Sequence, residues 1–167
     1  MCLPSIKDFK IDNKDLTIDV KIESEALCPR YSGVSISNVI VNESPDWLKH
    51  KLLSIGINPI NNIVDITNYV LHETGQPLHA FDTEKILGKE IIVKTLNKNT
   101  NFITLDKNKR KLSENDLMIC NAKKPMCIAG VFGGLDSGVT NNTKSIFIES
   151  AYFDPTSIRK TAKYHKL

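Results

Sequence analysis

The chain has 167 residues, enough for one domain with a real core and too few for two large ones. Hydrophobic residues at 41% and charged residues at 25% match a soluble globular protein, and a net charge of +3 is far below a dedicated nucleic-acid arm. Cys2, Cys28, Cys120 and Cys127 form no CxxC pair and no zinc-site spacing, which points to reduced thiols in the cytoplasm and to no metal.

Residues 1–28 are polar and charged, with one short alternating piece at Leu16–Ile22, and read as a leader arriving from another module. Tyr31–Val41 is β-rich and predicts a strand. Ser44-Pro45-Asp46 has the pattern of a helix start, a capping hydroxyl followed by proline and an acid, and Gly56 is placed to end that helix. Asn61 and Asn62 offer a cap for a second helix, Ile63–Thr74, closed by Gly75. Its stripe is Ile63, Ile66, Thr67 and Val70, with Asp65, Asn68 and His72 on a narrow polar side, so most of its circumference is expected to be buried.

Pro77 disfavours helix at Gln76 and predicts an extended Gln76–Ala80, after which Asp82 caps a single turn. Strands are then expected over Glu90–Leu96, Asn101–Leu105, Asp116–Cys120, Met126–Val131 and Ser145–Phe153. Asp154-Pro155 starts a closing helix that carries Arg159, Lys160, Lys163 and Lys166. Helices early and strands late, without regular alternation, favour an α+β class.

The chemistry rests on few residues. The glycine-rich loop Gly130–Gly138 has neither GxGxxG nor a P-loop pattern, so its glycines serve a turn or a close backbone approach. Glu149 lies on a strand that is apolar on both faces, where a carboxylate is either bonded to a backbone cap or functional. His79 stands between Leu78 and Phe81, and taken alone it reads as a packed core histidine. No nucleophile elbow is present, and no cysteine has a catalytic context. The basic residues of the last helix fit a solvated face or a phosphate contact.

Four long stretches occur in a distinctive order: SPDWLKHKLLSIGINPINNIVDITNYV, GQPLHAFD, AGVFGGLDSGV and IESAYFDPTSIRKTA. Together they resemble the β subunit of bacterial phenylalanyl-tRNA synthetase, in its central editing module. The resemblance implies an α+β, three-layer domain with a β-sandwich-like core and helices packed on it, a type also seen in a lysidine-synthetase domain. It implies residues 1–28 as a linker, residues 29–167 as the editing domain, and the chain as a truncated piece of a longer β subunit. The implied reaction is hydrolysis of misacylated Tyr-tRNA(Phe); the alternative is a non-catalytic tRNA-docking or structural module.

By the same resemblance Glu149 reads the tyrosine hydroxyl, with support from the Gly130 N–H, while Ala129 shapes the pocket. His79 belongs to that pocket, as orienter or as base, and Thr67 and Asn68 lie near the esterified tRNA end. Implied partners are the tRNA(Phe) 3′ end, tyrosine, the remainder of the β subunit, and the α subunit of an α2β2 heterotetramer. No cofactor is implied for this piece; ATP and Mg²⁺ belong to the whole synthetase.

Overall fold

Asn61 shows how directly local sequence sets this structure. In the computed structural model, which describes residues 5–167 and so leaves Cys2 and the start of the leader outside the described residues, the Asn61 side chain accepts from the N–H groups of Ile63 and Val64. That satisfies two of the donors a helix start leaves free. The helix, α2 (Asn62–Thr74), ends at Gly75 with φ 78°. α1 (Asp46–Ser54) precedes it, but Ser44 is not its cap. The Ser44 hydroxyl donates to Asp65, which also accepts the Ile60 N–H at 2.9 Å.

That pair shifts the buried face of α2, on which Ile63 and Thr67 stay buried as expected. Asp65 is fully buried, whereas Ile66 is 45% exposed and His72 is exposed. The carboxylate is buried because it has two donors, which an apolar stripe cannot reveal.

Ten strands are described: β1 (Asp19–Ile22), β2 (Arg30–Ser37), β3 (His79–Asp82), β4 (Glu90–Thr95), β5 (Asn101–Ile103), β6 (Lys109–Lys111), β7 (Leu117–Cys120), β8 (Pro125–Ile128), β9 (Phe132–Gly133) and β10 (Ser145–Tyr152). A five-stranded sheet runs β1-β4-β7-β8-β9, a three-stranded sheet runs β2-β10-β3, and β5 pairs with β6. Two strands differ most from their expected form. β2 stops at Ser37, where Asn38 turns to φ 58°. β1, within the polar leader, pairs in parallel with β4, and Ile18 and Ile22 pack against the core.

The two larger sheets share one core, with Phe81 and Phe147 from the smaller facing Ile91, Val93, Leu117, Ile119 and Cys127 from the larger. Ile63 of α2 packs on the outer face of the smaller sheet against Ile146, and the β5–β6 hairpin brings Phe102 to the outer face of the larger. The fold is mixed α+β, built in layers as helices, sheet, sheet and hairpin.

α3 (Pro155–His165) closes the chain, with the Asp154 side chain accepting the Ser157 N–H at 2.7 Å. Its far end is held by Asp116, which is 1% exposed. Asp116 accepts from the Thr161 hydroxyl at 3.0 Å and the Ser113 N–H at 2.8 Å, and lies 2.7 Å from His165 Nε2. Asp116→Ala strips a buried acceptor from three donors and is expected to lower stability by about 2 kcal/mol, read from urea unfolding midpoints.

Candidate functional site

The candidate site lies where the space between the two sheets opens beside α3. Alternation along β10 sends Ile146 and Ile148 toward α2, and Phe147 and Glu149 toward the other sheet. Glu149 is therefore carried into the inter-sheet space, where it is 5% exposed. β3 pairs with β10 so that His79 sits directly opposite Glu149, which puts both side chains on one face. Pro77 and Gly75 deliver β3 to that register, and Gln76 Nε2 donates to the Ala151 carbonyl at 3.3 Å.

These residues line a cleft of about 610 Å³. Glu149, His79, Gly130 and Cys127 belong to its lining, with Phe132 and Phe153 among the apolar walls and Arg159 at the α3 side. Gly130 has φ 64°, and a side chain there would come within 3.2 Å of Ile158 and 3.1 Å of Phe153. The loop takes its course between α3 and the cleft because nothing projects at that position.

The electrostatics follow from burial. Loss of water pushes the Glu149 carboxyl up from 4.5 to about 7, against a smaller downward pull from the Tyr31 hydroxyl. Tyr31 donates to Glu149 Oε2 at 3.0 Å. Burial pulls His79 down from 6.5 to about 4, so its imidazole is neutral near pH 7. His79 Nε2 is shut off from solvent and has no hydrogen-bond partner among the described residues. A buried polar atom of that kind normally finds a partner. The Cys127 thiol is raised well above its ordinary value, chiefly by burial, and so is a poor nucleophile.

Of the residues singled out from sequence, the fold brings His79, Glu149 and Gly130 into one cleft. Ala129 is fully buried beneath the loop, its N–H bonded to the Leu117 carbonyl. Thr67 and Asn68 stand on α2 outside the cleft lining; the Thr67 hydroxyl donates to the Val64 carbonyl at 2.7 Å, and Asn68 is half-buried.

Tyr31 and Gly33 were not singled out. On β2, Gly33 faces Glu149 and Tyr31 faces Ala151, one step along the same face. A β-carbon at Gly33 would overlap the Phe147 ring. Gly33→Ala must displace that core ring, and we expect a loss of about 1–3 kcal/mol in thermal or urea unfolding. The glycine in RYSGVS was the available signal, but its meaning needs the partner strand.

An α+β domain with a buried carboxylate and an unpartnered imidazole in an inter-sheet cleft is a module that can hold a small polar-tipped ligand. The chain belongs to the B3/4 domain family, whose model matches residues 27–167. It is 60% identical over 164 residues to the phenylalanine–tRNA ligase β subunit of Bacteroides thetaiotaomicron, covering 98% of this chain and 20% of that protein. Against the Porphyromonas gingivalis β subunit it is 54% identical over 162 residues, covering 96% and 20%. The chain thus spans about one-fifth of the length of these curated relatives, which are subunits of a ligase. Its fold also matches the crystal structure of an N-terminal fragment of the Pyrococcus horikoshii phenylalanyl-tRNA synthetase β subunit. There the TM-score is 0.61 at 16% identity, over 93% of this chain and 48% of that one. Among the described residues no helix is long and apolar enough to cross a membrane.

Proposed function

We propose that this chain is the module of a phenylalanine–tRNA ligase β subunit that hydrolyses tyrosine from mischarged tRNA(Phe). The observation that carries the reading is the buried Glu149 carboxylate in an otherwise largely apolar cleft, paired across the strands with His79. A synthetic site shaped for phenylalanine cannot strongly reject an isostere that merely adds a hydroxyl. A site that must hydrogen-bond that hydroxyl rejects phenylalanine steeply, because its polar group is left unpaired. Ionised Glu149 accepts the phenolic O–H, and the apolar walls take the ring.

Hydrolysis then needs water on the ester carbonyl. The water oxygen bonds to the carbonyl carbon, the carbon–oxygen bond to the ribose breaks, and the proton goes to the released ribose oxygen. The neutral His79, held near 4, is a poor base at pH 7 and serves instead to orient water or the ester. The Gly130 N–H backs the hydroxyl pocket, and Ala129, buried beneath the loop, helps shape it from behind. Thr67 and Asn68 are assigned to the approach of the tRNA end. The remainder of the β subunit and the α subunit, in an α2β2 assembly, would deliver the tRNA.

A second reading, a tRNA-docking module without chemistry, draws on one feature. Arg159, Lys160 and Lys163 border a trough of about 400 Å³ that shares Pro155 and Arg159 with the cleft. Equilibrium binding of free amino acids separates the two readings. Editing predicts L-tyrosine bound at least tenfold more tightly than L-phenylalanine at pH 8, and docking alone predicts no binding of either.

A further inference from the structure

Glu149 is braced on one side only. β3 presents His79, whose Nε2 bonds to nothing among the described residues. β2 presents Gly33 directly opposite, which offers no side chain and lets the Phe147 ring lie across it. The next residue of β2 on that face is Tyr31, opposite Ala151, at the diagonal distance a long aromatic side chain spans. Its hydroxyl donates to Glu149 Oε2 at 3.0 Å, and the ring packs against the inter-sheet core.

We propose that Tyr31 is the positioning residue of this site: its hydroxyl holds one carboxylate oxygen of Glu149 and keeps the other available to accept the hydroxyl of a bound tyrosyl group. The proposal rests on the hydrolytic reading given above. It adds that selectivity for tyrosine depends on a residue that never touches the ligand. A glutamate has three rotatable bonds, and an unbraced carboxylate in this space would also turn toward the Cys28 and Cys127 thiols behind it. A second consequence concerns charge. The Tyr31 hydrogen bond favours the ionised carboxylate, the form that accepts a phenolic proton.

The neighbouring groups stay silent over the useful pH range. Cys28 is pushed up to about 11 and Cys127 well above its usual value, both chiefly by burial. The Tyr31 hydroxyl is raised by burial and by the adjacent carboxylate, and His79 is held down near 4. Between pH 5.5 and 9, Glu149 is therefore the group in this cluster whose charge changes.

The test uses the complete ligase carrying Tyr31→Phe, which removes one oxygen and keeps the ring. Release of tyrosine from Tyr-tRNA(Phe) is followed from pH 5.5 to 9, with spontaneous ester hydrolysis subtracted at each pH. Wild type should show tyrosine release rising with a midpoint near 7. Tyr31→Phe should move that midpoint upward by roughly one unit, cut release at pH 7 by roughly fivefold, and recover most of the rate by pH 9. Glu149→Gln, which cannot ionise, should flatten the profile in both backgrounds. Phenylalanylation of tRNA and the melting temperature report whether the variant is folded. An unchanged midpoint with unchanged tyrosine-over-phenylalanine preference overturns the proposal. So does an equal loss at every pH in a folded variant, because that marks a structural role. If wild type releases no tyrosine at any pH, the hydrolytic reading itself fails, a result distinct from either.

Discussion

Glu149→Ala in the complete ligase is expected to slow release of tyrosine from Tyr-tRNA(Phe) roughly 100-fold and to leave the slow release of phenylalanine unchanged. Hydrogen bonds to charged groups contribute about 1.5–3 kcal/mol, which is about 10- to 150-fold. The upper part of that range applies because Glu149 is 5% exposed and water cannot replace it well. The asymmetry between the two substrates is the diagnostic feature. A mutation that merely loosened the cleft would change both rates together. Glu149→Gln should fall between, since an amide oxygen still accepts a phenol but more weakly than a carboxylate. The measurement is single-turnover deacylation of the two charged tRNAs at pH 8.

The second large effect is hidden in wild type because two groups oppose each other. Glu149 is raised from 4.5 to about 7. Between those values the folded chain keeps a proton that the unfolded chain has released, so stability falls as pH rises. His79 is lowered from 6.5 to about 4. Between those values the unfolded chain binds a proton that the folded chain refuses, so stability rises with pH. Each shift of this size corresponds to about 3 kcal/mol, and over most of the shared window the two cancel. Removing one partner should expose the other. Relative to wild type, His79→Gln should lose about 3 kcal/mol as pH goes from 4 to 6.5, and Glu149→Gln should gain a comparable amount from 4.5 to 7. Urea unfolding of each variant beside wild type across pH 4–8 gives these difference curves. Parallel curves for both variants would mean that neither group changes its proton affinity on folding.

What could be read from sequence divides along a physical line. Features set by a few adjacent residues were legible: the Asn61 cap and Gly75 terminus of α2, the Asp82 side chain accepting the Glu84 N–H, and the Asp154 cap before α3. β10 was legible for the same reason, and its alternation marked Glu149 as a carboxylate with nowhere polar to go. Features set by pairing were not. Asp19–Ile22 looks like solvated linker until β4 supplies an edge for it. Asp65 looks like the polar side of a helix until Ser44 and Ile60 supply its donors. Tyr31 looks like one more aromatic in a strand. Its meaning depends on a register that joins residues 118 positions apart. His79 lay between these cases. Its neighbours argued for a packed histidine, and it is packed edge-on against Phe81. What packing could not tell is that Nε2 would be left without a partner in the cleft.

The claim that most needs testing is that this cleft selects for a hydroxyl on an aromatic amino acid and releases it from tRNA. The direct measurement incubates the complete ligase with Tyr-tRNA(Phe) and Phe-tRNA(Phe) side by side, without ATP so that neither is recharged. Tyrosine should be released at least ~100-fold faster than phenylalanine. Equal rates for the two, or tyrosine released no faster than in buffer alone, would contradict it.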